Sequence, residues 1–231
     1  MLELKDVELK YRKKVILKGV NISAKPGQCI GLLGLNGSGK STMLSAIAGA
    51  KSASAGSITL NGKTYREDPK AFQENIGYVT QENALIEELS AMDNLRLWTP
   101  LDKASIYDTL TNTNLSILGV HTFLEIPVRS MSGGMKKRLS IATVLINKPH
   151  VLLLDEPLAA LDMLAKKSIL DYIASFRSNG GMLVIASHDE KLFEFCDEVW
   201  LLQNQACTNL KDLPSDISIP ELLRQGQETN D

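Results

Sequence analysis

Eight residues, Gly34 to Ser41, read GLNGSGKS and fit the spacing G-x-x-x-x-G-K-[ST]. That order of residue types suits a polyphosphate. Gly34, Gly37 and Gly39 let the backbone wrap an anion with its N–H groups, and Asn36 and Ser38 stand between them on the same binding loop. Lys40 can reach the β- and γ-phosphates, the Ser41 hydroxyl can ligate Mg²⁺, and Thr42 falls close to the α-phosphate. The context is the one such a loop requires. An apolar run, Gln28 to Gly34, precedes it, and the amphipathic KSTMLSAIAGA follows, opening a helix whose first turn adds roughly half a positive charge.

A phosphate loop alone leaves kinase, GTPase, motor and transporter ATPase open. A second stretch, HVLLLDEPLAALD, narrows the choice. Val151 to Leu154 carry a strand through the core to Asp155, at the sheet end where α/β folds place their ligands, and Asp155 can hold Mg²⁺ through water. Glu156 points away from Asp155 if the strand continues, leaving it free to face a hydrolytic water. VIASHDE ends another apolar strand in His188 at the same sheet edge, whereas His121 and His150 read as polar surface residues. A third stretch, RSMSGGMKKRLS, opens a helix with Ser132-Gly133-Gly134. An anion would sit well on that N-terminus, although by itself the stretch reads as a capped surface helix with Lys136-Lys137-Arg138 on a solvated face.

The elements that must position these residues follow from periodicity. Unbroken apolar runs at Gln28–Gly34, Ile76–Thr80, Val151–Glu156, Met182–His188 and Glu198–Leu202 alternate with helical segments. This pattern predicts an α/β fold around a mostly parallel sheet covered on both faces. Alternation and turn residues in the first sixty residues predict an antiparallel N-terminal part, with MLELKDVELKYRKK as an edge strand. Between about residues 82 and 146 the strand signal gives way to three- and four-residue spacing, the mark of an inserted helical lobe. The expected division is one domain over residues 1–204 and a short polar appendage over 205–231, with one helix near Glu221.

Composition sets the outer limits. A chain of 231 residues buries a sizeable core. Its net charge of -2, from 25 basic and 27 acidic residues, gives no global argument for nucleic acid. No apolar run approaches the roughly 20 residues that span a bilayer, so another chain must supply any membrane-spanning part. Cys29, Cys196 and Cys207 lack metal-ligand spacing and read as reduced cytosolic thiols, with Cys29 in a core strand.

Taken in order, these motifs resemble the ATP-binding cassette (ABC) family, specifically the nucleotide-binding subunit of ABC transporters with its P-loop NTPase core. The match covers about Leu2 to Gln203: phosphate loop, Q-loop glutamine Gln81 ending IGYVTQ, signature Ser132-Gly133-Gly134, Asp155-Glu156, D-loop Asp162 and switch histidine His188. The resemblance implies ATP and Mg²⁺ as ligands. It implies Tyr11 stacked on adenine, Gln81 touching Mg²⁺ and the attacking water, and residues 82–93 lining a groove for a polytopic transmembrane permease. It also implies a head-to-tail pair with a second cassette, in which Ser132, Gly133 and Gly134 complete the neighbour's site. The location expected is the cytoplasmic face of the cell membrane.

Met131 and Met135 replace the usual leucine and glutamine of the signature, and Met135 with its basic run is similar to bacterial drug- and antibiotic-exporter ATPases. A soluble ABC ATPase of an assembly complex is the competing expectation, and a cassette that binds ATP without cutting it is disfavoured by Glu156 and His188.

Overall fold

Two sheets of different origin organise the computed structural model, which describes residues 1–213 together with Glu221 and Leu223. The chain runs β1 (Leu2–Tyr11), β2 (Lys14–Ala24), β3 (Cys29–Leu33), α1 (Lys40–Ile47), β4 (Ala55–Leu60), β5 (Lys63–Thr64), α2 (Pro69–Asn75) and β6 (Ile76–Val79). It continues through α3 (Ala91–Trp98), α4 (Lys103–Asn112), three short 3-10 turns, α5 (Gly133–Leu145), β7 (Val151–Asp155) and α6 (Met163–Ser178). It closes with β8 (Met182–Ser187), α7 (Glu190–Phe193), β9 (Glu198–Gln203) and β10 (Ala206–Asn209).

The first sheet is antiparallel, in the order β2-β1-β4-β5. β1 buries Leu2, Leu4, Val7 and Leu9 and leaves charged residues outside. Its alternation slips between Leu4 and Val7, where the register shifts and Asp6 takes a left-handed φ of 49°. Asn21 pins this bulge by accepting from the Asp6 N–H and donating to the Asp6 carboxylate, each at 3.0 Å. β1 is not the edge strand its alternation suggests: it lies between β2 and β4 and pairs with both. Alternation reports which face is buried, not whether both edges are taken.

The second sheet runs β10-β9-β3-β8-β7-β6, parallel except for β10. β3, β7 and β8 are buried along their whole length. Their continuous apolar sequence serves two cores. Leu152, Leu154, Leu183 and Ile185 pack toward the helices, while Val151, Leu153, Val184 and Ala186 pack toward α1 and the antiparallel sheet. The helical residues predicted after Glu82 fall between β6 and β7, with their starts fixed by side-chain caps: Ser90 on α3, Asp102 on α4 and Ser132 on α5. Each such cap is worth ~1 kcal/mol.

The boundary expected after residue 204 falls inside a hairpin. Asn204 and Gln205, both at positive φ, turn β9 into β10, and the Gln205 carbonyl accepts from the Lys18 N–H at 2.9 Å. These residues are polar because they form a turn, and Ala206–Asn209 belong to the sheet. Pro214, Pro220 and the final RQGQETND lie outside the described residues; Glu221 and Leu223 have helical backbone, and Leu223 packs beside Leu33, Phe193 and Leu201. Among the described residues no helix is long and apolar enough to cross a membrane.

Candidate nucleotide site

The loop between β3 and α1 turns under close packing. Gly39 sits at φ 107°, and a Cβ there would come within 2.8 Å of Ile16. A Cβ on Gly34 would press on the Ser38 hydroxyl and come within 2.7 Å of the Leu202 carbonyl. Space at both positions is taken by backbone or packed side chain, so glycine is required on steric grounds at both and at Gly39 for its left-handed backbone as well. Lys40 opens α1 and is buried; its Nζ donates to the Gly34 carbonyl at 2.6 Å and the Leu35 carbonyl at 3.2 Å. Burial pulls the Lys40 pKa below its ordinary value, and the Glu156 and Asp155 carboxylates act against that shift.

Asp155 ends β7 as predicted and is 2 % exposed. One carboxylate oxygen, Oδ2, accepts from the Tyr78 hydroxyl at 3.4 Å, while Oδ1 is buried with no hydrogen-bond partner. Glu156 does not continue the strand and does not turn its side chain to the opposite face. Its backbone is left-handed, at φ 47°, and its N–H donates to the Ala186 carbonyl at 2.8 Å. The turn brings both carboxylates to one cavity. Glu156 Oε1 lies 3.0 Å from His188 Nδ1 and 3.9 Å from Lys40 Nζ, and Oε2 accepts from Ser187 Oγ at 3.1 Å.

That cavity, about 360 Å³, is lined by Tyr11, Ile16, Asn36, Gly37, Gly39, Lys40, Ser41, Thr42, Gln81, Asp155 and Glu156. Most of the residues singled out from sequence therefore converge. Tyr11 stands at the exposed mouth, 61 % accessible, with Lys51 Nζ 5.2 Å from its ring centre. Ser38 does not line the cavity: its hydroxyl is buried against Gly34 without a partner. His188 reaches the site through Glu156, while most of its ring faces outward.

Ser132, Gly133 and Gly134 are not brought to this cavity. Ser132 caps α5 through the Met135 N–H at 3.2 Å, and Ser132 and Gly133 are exposed. A Cβ on Gly134 would meet Ala165 at 2.8 Å and Asp162 Oδ2 at 3.0 Å, so the D-loop packs directly on the signature turn. Met131 is buried in the helical core, taking an apolar place.

The basic run after the signature is not a solvated face. Lys136 pairs with Glu87 at 2.9 Å, and Arg138 donates to the Leu118 carbonyl while lying over the Phe123 ring. Lys137 is only 4 % exposed and donates to the carbonyls of Thr80 at 3.0 Å and Gln81 at 3.2 Å. Lys137, Tyr78 and Ser187 make contacts that sequence reading missed. The signal for Lys137 was present: it stands three residues after Gly134 and four before Ile141, on the buried stripe of α5. His121 is another departure from a surface assignment, since its Nδ1 is buried without a partner.

The model of the ABC transporter family matches residues 17–159, well over half of the chain. The chain belongs to the ABC transporter family. It is 33% identical over its whole length to the spermidine/putrescine import ATP-binding protein PotA of Spiroplasma citri, spanning 67% of that protein. It is 35% identical over 81% of its length to the lantibiotic transport ATP-binding protein SrtF of Streptococcus pyogenes, spanning 80% of it. Among solved structures, an ATP-binding subunit of an ABC transporter superposes with a TM-score of 0.85 at 26% identity, covering 98% of this chain and 99% of that one. A dimeric cassette in a post-hydrolysis state bound to ADP and phosphate gives 0.74 at 26% identity, with 90% and 96% covered. This ABC chain is thus an ATP-binding subunit of the ATPase class.

Proposed function

We propose that this ABC subunit binds ATP in the cavity above α1, hydrolyses it with Glu156 as general base, and drives transport through a separate membrane-spanning subunit. The observation that carries the reading is the setting of Glu156, a buried carboxylate held by His188 on one oxygen and Ser187 on the other, facing the lysine of the phosphate loop. Such a carboxylate can take a proton from a water at the terminal phosphate. Lys40 would exchange the Gly34 and Leu35 carbonyls for β- and γ-phosphate oxygens, with Gly37, Gly39, Ser41 and Thr42 closing the loop around the chain of phosphates. Asn36 lines the cavity beside that loop, and Tyr11 would offer its ring to adenine at the mouth.

The oxygen donors fit a hard divalent cation, because Asp155 Oδ1 is buried and unpartnered and the cavity is also lined by Ser41 and Gln81. Ser41, Gln81 and, through water, Asp155 would hold Mg²⁺, which when bound neutralises phosphate charge. Ser132, Gly133 and Gly134 lie off the chain's own cavity, which supports their use in a partner's site, with two cassettes paired head to tail. Residues 82–93 with exposed Ile86 would receive the permease at the cytoplasmic face, and the exporter-like signature favours outward transport.

Glu156→Gln tests this reading. Turnover is expected to fall by ~10² to 10⁴ while ATP binding persists, the usual scale for loss of a positioned base. Near-normal steady-state turnover in that variant would remove Glu156 from the mechanism.

A further inference from the structure

The ammonium of Lys137 is buried between elements that the sequence separates by more than fifty residues. It starts from α5, one turn after Gly134, and donates both to the Thr80 carbonyl just beyond β6 and to the Gln81 carbonyl. These two carbonyls follow the last residue of an edge strand, where the ladder no longer satisfies them. An apolar side chain of equal length would fill the same space and leave both acceptors unpaired. Lysine instead brings three donors on a compact head, and only 4 % of the residue remains exposed.

From this geometry we infer that Lys137 is a positioning residue: it locks the signature helix to the Gln81 turn, so that the presentation of Ser132, Gly133 and Gly134 follows the position of Gln81. The inference rests on the reading of the cavity as an ATP site and of the signature as part of a partner's site. The mechanical argument is short. Ser132 caps α5 and Lys137 stands five residues further on, about 7.5 Å along the helix rise, a span short enough to move as one piece. A displacement of Gln81 toward a bound terminal phosphate therefore carries the α5 N-terminus with it through two charge-assisted hydrogen bonds. Lys136 adds a weaker tie in the same direction, since its pairing with Glu87 holds the next part of the same segment but the Glu87 carboxylate is largely exposed. Lys137 touches the backbone of Gln81 and not its side chain, so it can set where the glutamine stands without lining the cavity.

The test uses the full chain in a Glu156→Gln background, in which ATP is retained. Three things are measured: affinity of the monomer for a fluorescent ATP analogue, the ATP concentration that half-saturates dimerisation, and the thermal midpoint. Lys137→Met is expected to keep nucleotide affinity within about threefold while raising the ATP needed for dimerisation by about tenfold or more, the worth of a charge-assisted hydrogen bond. Lys137→Gln, which keeps an N–H donor, is expected to recover part of that loss. Dimerisation of Lys137→Met at the parent's ATP concentration would overturn the inference. So would a parallel loss of binding, dimerisation and thermal midpoint that Lys137→Gln does not relieve, because that pattern belongs to a purely structural lysine. Failure of the parent itself to dimerise with ATP would count against the two-cassette reading instead.

Discussion

At the residue scale the cavity gathers three buried charged side chains, Lys40, Asp155 and Glu156. Lys40 and Glu156 are both nearly inaccessible and stand 3.9 Å apart, and Lys40 is held meanwhile by two loop carbonyls. In the proposed site a triphosphate would displace those carbonyls, because its oxygens carry full charge. Lys40→Ala is therefore expected to weaken ATP binding by about 10-fold to 100-fold, the range for a lost charged hydrogen bond, as read by titration with a fluorescent nucleotide. An unchanged affinity would count against the phosphate-loop assignment. His188 acts on Glu156 and not on the loop, so His188→Ala should spare binding and lower turnover by ~10-fold to 100-fold, the cost of misplacing a base. A single-turnover assay separates the two effects, and a variant that binds poorly but turns over normally would reverse the assignment.

At the element scale the decisive feature is the start of α5. Ser132 caps the helix, so Ser132→Ala should cost ~1 kcal/mol in denaturant unfolding and impair ATP-dependent pairing as well. Ser132→Asp separates these roles: an aspartate caps as well as serine, yet it sets a negative charge where the partner's terminal phosphate would arrive. Its stability should match the parent while pairing is lost; intact pairing would mean that the signature does not face a phosphate. Much of this layer was legible in sequence. The apolar runs gave β3, β7 and β8 because a strand buried on both faces has no polar phase to confuse it. The glycine-rich turn between β3 and α1 was legible because its glycines answer to close packing at Gly34 and Gly39 and to a left-handed backbone at Gly37 and Gly39. What escaped depends on partners far away in the chain. The central place of β1 depends on β4, the burial of Lys137 depends on the end of β6, and the turn at Glu156 depends on the Ala186 carbonyl of β8.

At the scale of the whole molecule, one cationic side chain gathers the far side of the parallel sheet. Arg177 near the end of α6 donates to the Gly27 carbonyl at 3.0 Å and the Phe195 carbonyl at 2.8 Å, and pairs with Asp197, whose other oxygen accepts from the Cys29 N–H. Arg177→Met should lower stability by about 2 kcal/mol, since it leaves part-buried acceptors unpaired, and urea unfolding measures it. A loss within error would show that water replaces the guanidinium. The acid pair and lysine meet in one cavity, while Ser132 and Gly133 are exposed away from it. The most direct measurement is the mass of Glu156→Gln by light scattering with and without ATP. Glu156→Gln is expected to be a monomer that doubles in mass only with ATP and holds two nucleotides per pair. A monomer at saturating ATP, or a pair of the same stability without nucleotide, would contradict it.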